Sequence, residues 1–391
     1  MARHSVIRAL LFAVAALCSS CAERNRPVVL SASEDANGFY PGTWMLIDRE
    51  VHQQQLNGGI CGGAIAIRRN GAPVYSCAFG RVARGEKSSP VTFDTKFDVA
   101  SLTKPMAGVP AAVLLLAESD AELQSAIRRI IGHRHLLDDT AAYEHAKTLA
   151  VQAAAIADRG DRLRLIIEGL ADEAQGTIDP AAYRYSNTAY FLLGCRAAFN
   201  HPHLEDDLSA DFWKPLGLAN TGYHPAAPIA VTGFDRDGAE VIGRPFDPLA
   251  DLAITELDIP PLHSGLFATA DDAAKFFDAL SDPYQPSVPL RRLRALLFSQ
   301  PVLLHTKDRV QLFVSAGGLE SPTEPPMAGP SGAPQGAIYM QSGYTGCLLW
   351  TDLRSRTTIA VLTNASATDA EDEAGPFTAR IIDRAIRGVK R

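Results

Sequence analysis

The sequence predicts an α+β fold: an antiparallel sheet built from both ends of the chain and flanked by helices, with a mostly helical domain inserted between those ends. Three observations carry this reading. Apolar and polar residues alternate on both sides of Asn70-Gly71, the dipeptide that favours a two-residue hairpin turn. Clear alternation returns only after residue 308, over 309–316, 338–342, 346–351 and 357–363. Between them, 119–175 is rich in Ala, Arg, Asp and Glu with apolar residues at helical spacing. The expected division is therefore 44–118 with 300–391 for the sheet and 119–299 for the inserted helices.

The amino terminus comes first in the chain. Residues 1–22 read as an export signal, with Arg3 and Arg8 beside an unbroken apolar stretch over 9–17 that is too short to span a bilayer. Two endings fit. One is simple cleavage after Ala22; the other is a bacterial lipoprotein signal with Cys21 acylated, because Ser19-Ser20-Cys21 resembles the end of a lipobox, although Cys18 stands where Leu is usual. Either implies export to the periplasm or outer surface, with 23–43 as a polar leader or tether and, in the second case, membrane attachment by a lipid anchor.

Export places the remaining cysteines in an oxidising compartment. Cys61, Cys77, Cys195 and Cys347 allow three disulfide connectivities, none has zinc-site spacing, and in a chain of 391 residues they read as small buried hydrophobes. A two-residue turn at Asn70-Gly71 pairs Cys77 with Ala64 and leaves Cys61 about three residues out of register.

The other elements follow in order. Residues 44–56 carry helical spacing, and 62–67 with 73–79 form the hairpin. A strongly apolar helix covers 102–118, with Pro105 suited to its first turn and Pro110 expected to kink it. A further helix runs over 188–199, and 200–262 is Pro, Gly and Asp rich and reads as irregular. Thr269 caps a helix reaching residue 280 with acidic residues in its first turn, 317–336 is a Gly/Pro-rich loop, and 370–386 is a terminal helix.

The composition excludes some functions. A formal charge of −7, with no basic run of five, argues against a nucleic-acid or anionic-membrane partner. The chain has no Gly-x-Ser-x-Gly elbow, P-loop or Gly-x-Gly-x-x-Gly, which removes the α/β-hydrolase, nucleotide and dinucleotide readings. His133-x-His135 and His201-x-His203 lack a metal-site setting and read as exposed loop histidines, so no metal or cofactor is expected.

Three short segments could carry chemistry. In Ser101-Leu102-Thr103-Lys104 the hydroxyl and ammonium lie three residues apart at a helix start, on one side, where the helix N-terminus favours an alkoxide and then an oxyanion. The ordinary alternative is a capping serine followed by a solvated lysine. In Tyr185-Ser186-Asn187 a tyrosine held near a lysine can serve as a base and the amide can orient lysine and substrate, whereas the ordinary alternative is a core tyrosine beside an Asn N-cap. In Gln341-Ser342-Gly343-Tyr344 a strand glycine lets a substrate backbone approach, and the alternative is a bulged edge strand.

In this order the three segments resemble the serine β-lactamase and penicillin-binding-protein family, especially its class C, D-alanyl-D-alanine peptidase and esterase branch. Residues 264–272 and 361–364 also resemble segments of that family, so the likeness runs over roughly 45–385. It implies a β-lactamase/transpeptidase-like fold, with Ser101 as acylated nucleophile, Lys104 as its proton partner, Tyr185 as general base and Asn187 as a substrate-orienting amide. Gln341, Ser342, Gly343 and Tyr344 would line the substrate, and the N–H groups of Ser101 and Tyr344 would form the oxyanion hole. The implied substrate is a small ester or amide or a cell-wall peptide. D-alanyl-D-alanine carboxypeptidase, β-lactamase and non-catalytic penicillin-type sensor are the alternatives. Two departures bear on the choice: Gln341 replaces the usual Lys, His or Trp and Ser342 the usual Thr, and the Leu-Leu-x-His-Thr-Ser-Gly segment has only a poor counterpart in 133–137.

Overall fold

In a computed structural model the residues described are 27–85, 87–134, 139–173, 183–235, 237–307, 310–321, 338–368 and 370–390. The signal segment, Cys21, His135 and most of the 317–336 loop lie outside them. In chain order the N-terminal part holds β1 (Val28–Ser31), α1 (Thr43–Asn57), β2 (Gly62–Arg69), β3 (Ala72–Gly80) and β4 (Phe97–Asp98). The helical part holds α2 (Val109–Glu118), α3 (Ala121–Ile131), α4 (Asp139–Ala154), α5 (Arg159–Glu173), α6 (Asn187–Asn200) and α7 (Leu204–Leu208). Then come β5 (Val231–Phe234), β6 (Glu240–Ile242), α8 (Pro248–Thr255), β7 (Phe267–Ala268), α9 (Ala270–Ser281) and α10 (Val288–Leu297). The chain closes with β8 (Val302–Lys307), β9 (Val310–Val314), β10 (Glu320–Ser321), β11 (Ile338–Gly343), β12 (Cys347–Asp352), β13 (Thr357–Thr363) and α11 (Glu371–Gly388).

The sheet has the order β1-β3-β2-β13-β12-β11-β10-β9-β8, antiparallel throughout, so its strands come only from the two chain ends. The polar leader is not a free tether from residue 27 onward, because Val28–Ser31 pairs with β3 as the edge strand and Phe39 is fully buried. Asn70 and Gly71 both have positive φ, 53° and 84°, as the expected tight turn requires. The predicted register is corrected by one residue: a bulge between Ile67 and Arg68 sets Cys77 opposite Ile65 and not Ala64. All four described cysteines are free thiols.

The two sheet faces differ by residue size. Ile65 and Ile67 face α1 and α11, joining Ile47, Val51, Phe377 and Ile381, while Ala64 and Ala66 belong to the core on the opposite face. These small residues let α9 pack directly on β2 and β13, so α9 covers the sheet although it lies in the stretch assigned to the inserted domain. Arg68 reaches across to Asp271 at 2.6 Å and Asp278 at 3.1 Å. The stretch 200–262 is more regular than predicted, with α7, α8 and the β5–β6 hairpin, and β8 is a further unpredicted strand.

Candidate active site

The 97–104 segment builds the centre of the site. β4 pairs with β7, and the Val99 N–H donates to the Leu266 carbonyl, fixing residues 97–99 against 266–268. Asp98 then closes a tight turn, its Oδ1 accepting the Ala100 N–H at 2.8 Å. Ala100 has φ +46°, an unusual conformation for a residue with a β-carbon, and Ser101 follows it in a 3₁₀ turn, Ala100–Leu102. The helix start predicted here is thus a strained turn, followed by a π-helical turn at Lys104–Gly108 before α2 begins. Pro110 explains part of this. It has no N–H for the Met106 carbonyl one turn back, and that carbonyl accepts the Trp213 indole N–H at 2.9 Å instead.

Lys104 is 1% exposed. Its three ammonium protons meet three acceptors: Ser101 Oγ at 3.1 Å, Asn187 Oδ1 at 2.7 Å and the His263 carbonyl at 2.9 Å. This is the environment of a buried charge, not of a solvated lysine. Tyr185 Oη lies 2.6 Å from Ser101 Oγ, and Lys104 Nζ sits 4.5 Å from the Tyr185 ring centroid. Ser186, not Asn187, caps α6 by accepting the Ala189 N–H, while Asn187 Oδ1 accepts from Lys104.

β11 brings the third segment to this turn. A β-carbon on Gly343 would lie 2.7 Å from the Val99 carbonyl and 3.2 Å from Ala100 Cβ, so only glycine lets the strand end reach the nucleophile turn. Thr345 Oγ1 donates to the Asp98 carbonyl at 2.8 Å and holds the β11–β12 turn there. Tyr344 is exposed and stacks on Phe246, and Ser342 is exposed. Gln341 departs from its expected place among substrate contacts: it is 4% exposed and its amide donates to the Ser342 carbonyl at 3.0 Å.

A buried acid, Asp98, a partly buried one, Asp247, and two buried histidines, His263 and His133, lie around these groups. Burial pushes the Asp98 carboxyl up to about 6, against the pull of the Phe246 and Ala100 N–H groups. Burial also raises Asp247, but the adjoining His263 and further hydrogen bonds outweigh it and hold the carboxyl at about 2. His133 is the residue that sequence reasoning missed. It is buried, not exposed in a loop, and its ring stacks on Tyr185 with centroids 4.7 Å apart and planes at 27°. Burial, then the nearby Lys104 charge, pushes its imidazole down to about 3, so it is neutral at neutral pH. The available signal was Ile130-Ile131-Gly132-His133 before the Tyr185 motif, obscured by the absence of Thr-Ser-Gly after it. Chemically, a hydroxyl touching both a phenol oxygen and a buried ammonium is equipped to become a nucleophile.

Comparison with known proteins gives the family and the fold. The β-lactamase family profile matches residues 47–383, and the chain belongs to that family. It is a serine hydrolase of the β-lactamase family with the corresponding α+β fold. None of the curated proteins compared matches the chain. Among solved structures it is similar to EstCE1, a hydrolase with promiscuous acyltransferase activity, at 19% identity and TM-score 0.61 over 89% of this chain and 99% of that one. A β-lactamase/D-alanine carboxypeptidase from Pseudomonas syringae gives 16% identity and TM-score 0.60 over 88% and 99%. A class C β-lactamase from Rhodobacter sphaeroides gives 17% and 0.60 over 87% and 99%.

Proposed function

We propose that this protein hydrolyses an ester or amide by acyl transfer through an acyl-enzyme on Ser101, with neutral esters as its best substrates. The observation that carries the reading is the contact of Ser101 Oγ with both Tyr185 Oη, at 2.6 Å, and Lys104 Nζ, at 3.1 Å. Ser101 Oγ attacks the carbonyl carbon while its proton passes to Tyr185 Oη, which enters the step as the phenolate beside the Lys104 ammonium. The Lys104 ammonium stabilises negative charge as it develops on the attacking oxygen. The carbonyl oxygen takes up the negative charge of the tetrahedral intermediate, held by the N–H groups of Ser101 and Tyr344. Collapse breaks the bond to the leaving group, which receives the proton from the pair. Water then attacks the acyl-enzyme by the reverse proton path and releases the acid. Asn187, accepting from Lys104 at 2.7 Å, orients the ammonium.

The preference for neutral esters rests on Gln341. A cation there would attract a substrate carboxylate through a charge-assisted hydrogen bond, about twice as strong as a neutral one. A buried neutral amide bonded to its own strand offers none. The test compares kcat/KM on short p-nitrophenyl esters, a penicillin and a D-alanyl-D-alanine peptide. Esters should be favoured, and Gln341→Lys should move the ratio toward the anionic substrates by roughly fivefold or more, about 1 kcal/mol or more. Wild type that hydrolyses penicillins as readily as neutral esters overturns the preference, and acylation without turnover on any substrate would instead indicate a sensor. Export rests on the apolar segment before residue 22, and lipid anchoring on Ser19-Ser20-Cys21. Cys21→Ala should release the protein from the membrane fraction if Cys21 is acylated, and a soluble wild type overturns the anchor.

A further inference from the structure

Phe246 and Tyr344 are both large, apolar and open, at 38% and 63% exposure, yet they are not scattered surface residues. Their rings stack with centroids 5.3 Å apart and planes at 20°. Each is tied to the turn that carries the nucleophile. The Phe246 N–H donates to Asp98 Oδ2 at 2.8 Å, and the other oxygen of the same carboxylate holds Ala100, the residue before Ser101. Tyr344 directly follows Gly343, whose α-carbon is seated against Val99 and Ala100. Behind the pair, β5 contributes Gly233, where a β-carbon would lie 3.0 Å from the Phe246 ring, so a bare backbone supports the ring. Asp98 is fully buried and bonded at both oxygens, which makes this mounting rigid.

We infer that the Phe246–Tyr344 pair is an acyl-binding wall that selects substrates with an uncharged apolar acyl group, an alkyl chain or an aryl ring. The inference rests on the acyl-transfer reading above. The acyl carbonyl must sit at Ser101 with its oxygen toward the Tyr344 N–H, so the group behind that carbonyl passes the Tyr344 side chain. The acyl part, unlike the leaving group, stays in the site through both chemical steps, and each methylene it lays on the aromatic faces strengthens its binding. An acetyl group is too small to use the wall, whereas an octanoyl or benzoyl group has carbon to place on it.

The test holds the leaving group constant and varies the acyl group, using p-nitrophenyl acetate, octanoate and benzoate. Wild type should show kcat/KM at least tenfold higher for octanoate and benzoate than for acetate. Phe246→Ala and Tyr344→Ala should each lower that ratio by roughly fivefold or more, and Phe246→Trp, which restores an aromatic face, should retain it. A wild-type ratio near one, or a ratio unchanged in Phe246→Ala, overturns the wall. Equilibrium binding of the octanoate and acetate esters to Ser101→Ala, with and without Phe246→Ala, reads the same ratio without turnover. Tight octanoate binding that depends on Phe246 supports the wall even if no ester is hydrolysed, in which case the acyl-transfer reading fails alone.

Discussion

Removing the charge of Lys104 is the perturbation whose size follows most directly from the geometry. At 3.1 Å and an effective dielectric constant near 20, a full negative charge on Ser101 Oγ would interact with the ammonium by roughly 5 kcal/mol. Half of that charge developed in the transition state gives about 2.7 kcal/mol. At about 1.4 kcal/mol per tenfold, Lys104→Met should therefore lower kcat/KM by between about a hundredfold and a few thousandfold. Tyr185→Phe deletes the phenol oxygen 2.6 Å from the same Oγ and should cost a similar factor. Because both groups serve one proton path, the double variant should be no more than a few-fold worse than the worse single variant. The assay is the pre-steady-state release of p-nitrophenol, which reads acylation alone, with thermal melting to confirm that each variant is folded. Multiplying losses, or a folded Lys104→Met enzyme keeping more than about a tenth of wild-type activity, would refute the coupled pair.

Three further outcomes follow. Arg68→Ala strands Asp278, whose side chain is almost fully buried, and should cost about 3–5 kcal/mol of stability in urea unfolding, with Arg68→Met/Asp278→Leu recovering much of it. His133 is depressed from 6.5 to about 3 in the folded chain, so the unfolded chain binds more protons between those values. Its contribution is complete above about pH 6.5 and is lost as the pH falls toward 3, at up to ~1.4 kcal/mol per pH unit, and His133→Phe should flatten that slope in urea titrations at a series of pH values. Gly343→Ala must move β11 off Val99, so burst kinetics should show acylation slowed by roughly tenfold or more in a protein that still melts cooperatively.

The sequence exposed the parts of the site whose signals are short and local. Ser101 and Lys104 are three residues apart, and the Tyr185 and Gly343 segments carry their own unusual spellings. What it did not expose depends on tertiary placement. Which of the two readings of Asn187 applies, orienting amide or N-cap, is one such point: Ser186 takes the cap, and Asn187 Oδ1 accepts from Lys104. His133 acts from behind Tyr185 at a positive φ of 54°, and the short run Ile130-Ile131-Gly132 before it is too weak a signal to separate it from a loop histidine. Gln341 was placed on the correct strand, yet whether its amide meets substrate or backbone is a matter of side-chain direction. In the fold, the central strands were visible by alternation. The edge strand β1 is mostly open to solvent, Val302 and Leu303 at the start of β8 are exposed, and both strands carry mixed sequence patterns. The β2–β3 register shifted because one bulge beside Pro73 cannot be read from hydrophobic periodicity.

The central claim is that Ser101 is the acylated nucleophile. Intact-mass and peptide mass spectrometry after exposure to a fluorophosphonate or an activated ester tests it most directly. One adduct per chain on the peptide containing Ser101, absent from Ser101→Ala together with ester turnover, is the predicted result. Labelling at another serine, or unchanged turnover in Ser101→Ala, would contradict it.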